Sequence, residues 1–168
     1  MHSIVYILPE LFLSFSIMFL LMLGVFVKRS FNLVYLLSIL TLVFGIFLIL
    51  NQPNEIKIFN ESFIIDKLSI FMKVLTLIFC SFILIISKDY IKNNNMDKIE
   101  YPIIILASIL GMMLMISSYD LILFYLGLEL QSLCLYILAS FKIENEKSTE
   151  AGLKYFILSA LASGLLLY

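Results

Sequence analysis

The sequence predicts an all-α, polytopic membrane protein with six transmembrane helices, and three observations carry that prediction. The 168 residues are 62% hydrophobic and only 14% charged, with a mean hydropathy of +1.10, whereas a soluble domain averages about 45–50% apolar and about 25% charged residues. Apolar runs recur six times, each about 18–20 residues long, which at 1.5 Å per helical residue matches the hydrocarbon core of a bilayer. The charged residues gather between these runs instead of alternating along them.

The first run extends from Glu10 to Val27, with Pro9 tolerated in the first helical turn, where its missing N–H would be unpaired anyway. It does not read as a signal peptide, because it is too long and its basic residues, Lys28 and Arg29, follow it. The second run, Phe31 to Leu50, ends in the turn cluster Asn51-Gln52-Pro53-Asn54. Residues 51–67 read as a polar loop with one short alternating patch, Ile56 to Phe59, compatible with a brief strand or with none. The third run is Leu68 to Ser87, followed by the most hydrophilic stretch, KDYIKNNNMDKIEY. The fourth opens at Pro102 and closes at Ser117-Ser118-Tyr119-Asp120; the fifth spans Leu121 to Phe141. After a loop from Lys142 to Ser148, the sixth is expected to start with Thr149 as N-cap and Glu150 in its first turn, and to continue to Tyr168.

Six crossings place both termini on one side, and Lys and Arg decide which. The connections after runs one, three and five hold seven basic residues: Lys28, Arg29, Lys88, Lys92, Lys98, Lys142 and Lys147. The opposite side holds Lys57 and Lys67. The first group is therefore expected in the cytoplasm or mitochondrial matrix, with both termini on the outer side. Lys73 and Lys154 fall inside apolar runs. Lys73 lies about 8 Å from the start of its run, so its stem is expected to snorkel to the outer interface. Lys154 lies at a similar depth from the other side, four residues after Glu150, the favourable order for an i, i+4 ion pair.

The chemistry concentrates on run five, LILFYLGLELQSLCLYILASF. Near its middle sits Glu129, and Tyr125, Glu129, Ser132 and Tyr136, spaced i, i+4, i+7 and i+11, share one helical face. An acid at the bilayer centre opposes insertion by roughly 2.5–3.5 kcal/mol, while each Leu or Ile favours it by about 0.3–0.6. The eight Leu and two Ile of this run therefore carry the carboxyl into the membrane. Intramembrane acids mark proton and ion routes, although some are structural. In run six, Ser159 with Ser163 and Ala160 with Gly164 form small-xxx-small pairs, which permit close helix approach and imply a partner helix.

Other chemistries find no support. The net charge of −1 suggests no nucleic-acid partner. Cys80 and Cys134 are single, far apart and inside apolar runs, so neither a disulfide framework nor a metal cluster is written. The sole histidine, His2, is terminal, and no nucleotide-binding glycine pattern or nucleophile triad is present. No cofactor or redox centre is expected in the chain. No Arg- and Ser-rich leader is seen, which suits a bacterial protein or one made where it is inserted, and the abundance of Ile, Phe, Lys and Asn suits an A+T-rich, organellar gene.

Gly127-Leu128-Glu129-Leu130-Gln131-Ser132-Leu133 and Ser148-Thr149-Glu150-Ala151-Gly152-Leu153-Lys154-Tyr155-Phe156-Ile157-Leu158-Ser159-Ala160 put an intramembrane Glu and an intramembrane Lys on consecutive helices. In these stretches the chain resembles the subunit 2 family of respiratory NADH:ubiquinone oxidoreductase (complex I), closely over about its last fifty residues and loosely elsewhere. That resemblance implies an antiporter-like inverted-repeat bundle, with residues 1–100 forming three additional helices and residues 101–168 beginning the first repeat. It implies that Glu129 and Lys154 serve proton translocation driven by quinone reduction elsewhere in the complex. By helical rise the two lie at different depths, about 10 Å apart, and would communicate through water or a third group.

The family is much longer than this chain. The implied partners are therefore lipid, other membrane-arm subunits of complex I, and a second polypeptide, or a continuation of this one, supplying the missing carboxy-terminal helices. The implied location is the mitochondrial inner membrane, with the bacterial plasma membrane as alternative. A stand-alone cation/proton antiporter component and a structural membrane subunit are the competing readings.

Overall fold

The computed structural model describes residues 6–27, 31–53, 56–58, 62–93, 96 and 98–168. His2, Lys28, Arg29, Asn54 and Phe59, invoked above, lie outside the described residues. Six helices long and apolar enough to span a membrane are present among those described: α1 (Leu8–Phe26), α2 (Phe31–Leu50), α3 (Lys67–Asn93), α4 (Glu100–Ser117), α5 (Leu121–Ala139) and α6 (Glu146–Leu167). Between α2 and α3 lies a hairpin of β1 (Ile56–Ile58) and β2 (Phe63–Ile65), antiparallel, with Ile56 opposite Ile65, Lys57 opposite Ile64 and Ile58 opposite Phe63.

Two helix limits differ from those expected by three residues or more. Helix α3 passes Ser87 and continues to Asn93, because Ile91 stays buried on its packed side and Lys92 favours the negative helix end. Helix α6 begins at Glu146 instead of Thr149. Asn145 is as good a cap as Thr, and its side chain accepts a 3.0 Å hydrogen bond from the Lys147 amide. Thr149 is thereby taken into the first turn, where its hydroxyl donates to the Glu146 carbonyl.

The core is built on α4. Half of its span is buried, against 11% of α6. Ile103, Leu106, Ile109 and Met113 recur every three or four residues and pack with Leu13 and Leu20 of α1, Val34 and Leu42 of α2, and Leu77 and Leu84 of α3. The outer faces of α1, α2 and α3 remain apolar and uncovered, as lipid-facing surfaces are. Tyr35 ties α2 to α3 through its hydroxyl, which donates to the Leu84 carbonyl at 2.5 Å and lies 2.8 Å from Ser87 Oγ.

The closest helix crossing joins α4 and α5. A Cβ on Gly111 would stand 2.8 Å from both the Gln131 amide nitrogen and the Gly127 carbonyl oxygen, and one on Gly127 would stand 2.9 Å from the Gly111 carbonyl oxygen. In lipid, where apolar side chains gain nothing by leaving their surroundings, such backbone proximity is how helices associate.

Ile56–Ile58 takes the brief strand left open for its alternating patch, and Phe63–Ile65, expected as loop, pairs with it. Ile58, Phe63 and Ile65 bury their side chains together against Ile7, Ile70, Leu114 and Leu123. The hairpin is also sewn to the α4–α5 connection by a bridge between Phe63 and Ser118 and a 2.9 Å hydrogen bond from the Tyr119 amide to the Ser62 carbonyl. Its apolar face therefore closes one end of the bundle.

Helix α6 rests on α5 alone among the closely packed helix pairs, and its small residues divide. Ser163 is buried, while a Cβ on Gly164 would meet nothing within 4 Å. Ser163→Leu is therefore expected to destabilise the bundle by about 1–3 kcal/mol, the usual range for overpacking. Gly164→Leu should leave the fold of this chain unchanged. Thermal midpoints of the purified variants check both, and a loss of intact assembly confined to Gly164→Leu would reveal a partner helix on that face.

Candidate functional site

Helix α5 starts at Asp120, whose carboxylate caps the Ile122 amide, and it crosses α4 at Gly127. Glu129 follows half a turn later and is half-buried. Its Oε2 is fully enclosed and has no hydrogen-bond partner in the protein. Around it the expected polar stripe is present: Tyr125 and Ser132 are half-buried and Tyr136 is buried. Ser132 Oγ donates back to the Glu129 backbone carbonyl at 3.0 Å, so it serves its own helix and leaves the carboxylate untouched. Tyr136 turns to α6, donating its hydroxyl to Ser159 and standing edge-on to Tyr155 and Phe156, with ring centroids 4.8 and 5.7 Å away.

Lys154 is not brought to Glu129. Its ammonium pairs with Glu150 Oε1 at 2.5 Å, and both side chains are largely exposed, at 70% and 61%. The i, i+4 pairing is the one the spacing suggests. A cavity of about 450 Å³ opens between α5 and α6, lined by Leu133, Tyr136, Ile137, Gly152, Leu153 and Phe156 among others, and its walls are mainly apolar.

The structure holds a second charged pair. Lys73 does not snorkel: it is wholly buried, and its Nζ lies 2.5 Å from Glu10 Oε1, with the Glu10 side chain 4% exposed. The ring of Phe63 covers the ammonium, with its centroid 5.0 Å away. Snorkelling wins when interfacial water is the only partner a lysine can reach; here a carboxylate lies closer, and the hairpin occupies the way out. Glu10 was not expected to matter, although one signal was available. Runs one and three both begin on the same membrane side, so an acid opening the first and a lysine early in the third share a level.

Residues 118–168 match the family described as NADH:quinone oxidoreductase/Mrp antiporter, transmembrane region. Subunit N of the NADH-quinone oxidoreductase of Pelagibacter ubique (strain HTCC1062) is 55% identical over 170 residues, covering 100% of this chain and 36% of the relative. The subunit N of Bartonella bacilliformis is 47% identical over 99% of this chain and 34% of its own length. Among solved structures, a chain of respiratory complex I from Thermus thermophilus with bound aureothin superposes with a TM-score of 0.78 at 25% identity, over 95% of this chain and 35% of that one.

A six-helix bundle whose fifth helix carries an acid with one enclosed oxygen, together with this match over residues 118–168, is similar to the antiporter-like membrane subunits of the NADH:quinone oxidoreductase class. Within that class, the chain is similar to the amino-terminal part of subunit N. It spans about a third of the length of the curated relatives it matches.

Proposed function

We propose that this chain is the amino-terminal part of a proton-translocating membrane-arm subunit of NADH:quinone oxidoreductase, with Glu129 and Lys154 as proton-transfer groups. The observation that carries the reading is Glu129 Oε2, enclosed and unpartnered in the middle of a membrane helix, in a chain that matches subunit N along its whole length. A buried oxygen without a protein partner is a place for water, and a carboxylate next to enclosed water is equipped to take up and pass on a proton. The interfacial Glu150–Lys154 pair places a second charge on the adjoining helix, so a change in one field biases the occupancy of the other. Residues 101–168 would open the first antiporter-like repeat, with residues 1–100 as the additional helices.

The partners are then other subunits of complex I and whatever supplies the remaining two thirds of the relatives' length. Those helices would cover α6, whose sparsely buried surface and cavity against α5 are otherwise left to lipid. The relatives reported above are bacterial proteins, which favours a bacterial plasma membrane over the mitochondrial inner membrane. The basic connections, Lys88 to Lys98 among them, would face the cytoplasm. A cysteine at Asn94, outside the described residues, should then be labelled by a membrane-impermeant thiol reagent only in inverted vesicles; labelling from the outside of intact cells would reverse the topology.

The reading is tested by purifying the tagged chain from native membranes in detergent. Flavin and iron–sulfur spectra in the same particle, with peptides of the remaining helices found by mass spectrometry, are expected. A particle without either redox signature would favour a stand-alone cation/proton antiporter.

A further inference from the structure

We propose that Glu10 and Lys73 form a second proton-exchange site, at the hairpin end of the bundle, in which the Glu10 carboxyl carries the proton and enclosed water delivers it at Oε2. The inference deepens the proton-translocation reading above and rests on it.

The first ground is the pair itself. Both side chains are buried, and the ammonium contacts one carboxylate oxygen only. A buried ion pair is no better for stability than a well-packed apolar pair, and ionisable groups within membrane helices are retained where protons or ions pass. A pair serving only to clamp α1 to α3 would have both oxygens satisfied. Here Glu10 Oε2 is enclosed without a partner.

The second ground is the company that oxygen keeps. Four side-chain oxygens or nitrogens are enclosed and unpartnered among the described residues, and three belong to this end of the bundle: Glu10 Oε2, Gln52 Oε1 and Ser117 Oγ. Gln52 is fixed by its Nε2 donating to the Tyr6 carbonyl at 2.7 Å, one turn before Glu10. Ser117 precedes Ser118, which bridges to Phe63, the residue whose ring covers Lys73. Several such atoms in one region call for ordered water, since each would otherwise sacrifice a hydrogen bond.

The third ground is the closure. Phe63 stands over the ammonium, and the hairpin that carries it packs on α3, α4, α5 and Ile7, the residue preceding α1. At the hairpin end, the other titratable groups on or next to these elements are Tyr6, Lys57, Asp66, Lys67, Tyr119 and Asp120, and all but the half-buried Tyr6 are exposed; Lys88, Asp89, Tyr90 and Lys92 of α3 and Glu100 and Tyr101 of α4 lie toward the opposite end. Glu129 lies further along α5. Water therefore screens the exposed charges, and Lys73 is the charge that governs Glu10. A proton arriving at Oε2 forms an O–H bond and leaves the ammonium as the sole charge; its departure restores the pair. A proton passing from Nζ to Oε1 breaks one N–H bond and forms one O–H bond, with the net charge unchanged. Each step moves a proton and nothing else.

The test uses the assembled complex containing wild-type chain, Glu10→Gln, Glu10→Asp or the double variant Glu10→Gln/Lys73→Met, with Glu129→Gln prepared alongside. Infrared difference spectra across a pH step are expected to show a protonated-carboxyl band that Glu10→Gln lacks and that Glu10→Asp, which keeps the pair, shifts in frequency. The double variant, neutral and without a stranded charge, is expected to assemble and to pump several-fold fewer protons per NADH. An unchanged band in both Glu10 variants, or full pumping by the double variant, would reduce the pair to a clamp and overturn the proposal. The infrared result does not depend on NADH-driven pumping, so a complex that fails to pump at all counts against the proposed function and leaves the pair to be judged by its spectrum.

Discussion

Glu129→Gln is expected to leave the complex assembled and to lower NADH-driven proton pumping by roughly tenfold or more, toward the ~10²–10⁴ typical of removing a positioned proton-transfer group. The structure makes this variant unusually clean. Glu129 Oε2 has no partner to lose, and Ser132 bonds the backbone carbonyl, which the substitution keeps. Gln preserves the size and the capacity to hydrogen-bond water while abolishing titration. A structural role therefore predicts almost no effect, and a proton-transfer role predicts a large one. Because redox and pumping steps are coupled, quinone-linked NADH oxidation should fall with it. Glu129→Asp should keep part of the activity, its carboxyl being withdrawn by one methylene. Lys154→Met should cause a smaller loss if the exposed pair with Glu150 is only interfacial, since such pairs contribute about 0.3–0.5 kcal/mol. A comparable loss would place Lys154 in the relay. The measurement is protons pumped per NADH in reconstituted vesicles, normalised to assembled complex, and full pumping by the Gln variant would remove Glu129 from the route.

What the sequence revealed, and what it concealed, follow from the same physics. Six helices were legible because the bilayer imposes a length and an apolar composition on each crossing, and that signal is local. Glu129 stood out as a candidate because an acid flanked by Leu on both sides has no soluble explanation. The Glu10–Lys73 pair did not, because it joins residues 63 positions apart and each end has a plausible solitary role, one at a helix start and the other as a snorkelling lysine. The second strand of the hairpin was missed for a related reason: Phe63-Ile64-Ile65 is too short to stand out beside the 20-residue apolar runs, and it packs on three helices and on Ile7 before α1. The small residues of run six drew attention as a packing surface, yet the tightest crossing uses Gly111 and Gly127, sixteen positions apart on different helices, where no spacing rule applies.

That crossing gives the largest structural effect expected in the molecule. Gly111→Ala adds one methyl, and in most helices it would stabilise, since Ala is favoured over Gly by about 1 kcal/mol in a helix interior. Here the new carbon would stand 2.8 Å from the Gln131 amide nitrogen and the Gly127 carbonyl oxygen and 3.2 Å from Gln131 Cα, all backbone atoms that no rotamer change can move. Helices α4 and α5 must separate, and overpacking of this kind opposes folding by about 1–3 kcal/mol or more. The same substitution at Gly45 is the control, because its Cβ would meet only Leu77 Cδ1 at 3.5 Å, an ordinary contact, and it should be neutral or stabilising. The thermal midpoint in one detergent should therefore fall for Gly111→Ala and stay unchanged or rise for Gly45→Ala. The strain at Gly111 falls on Gln131, two residues from Glu129, so any Gly111→Ala complex that still assembles should also pump less, whereas Gly45→Ala should pump normally. Equal stability and equal pumping in the two variants would show that α4 and α5 do not meet backbone to backbone.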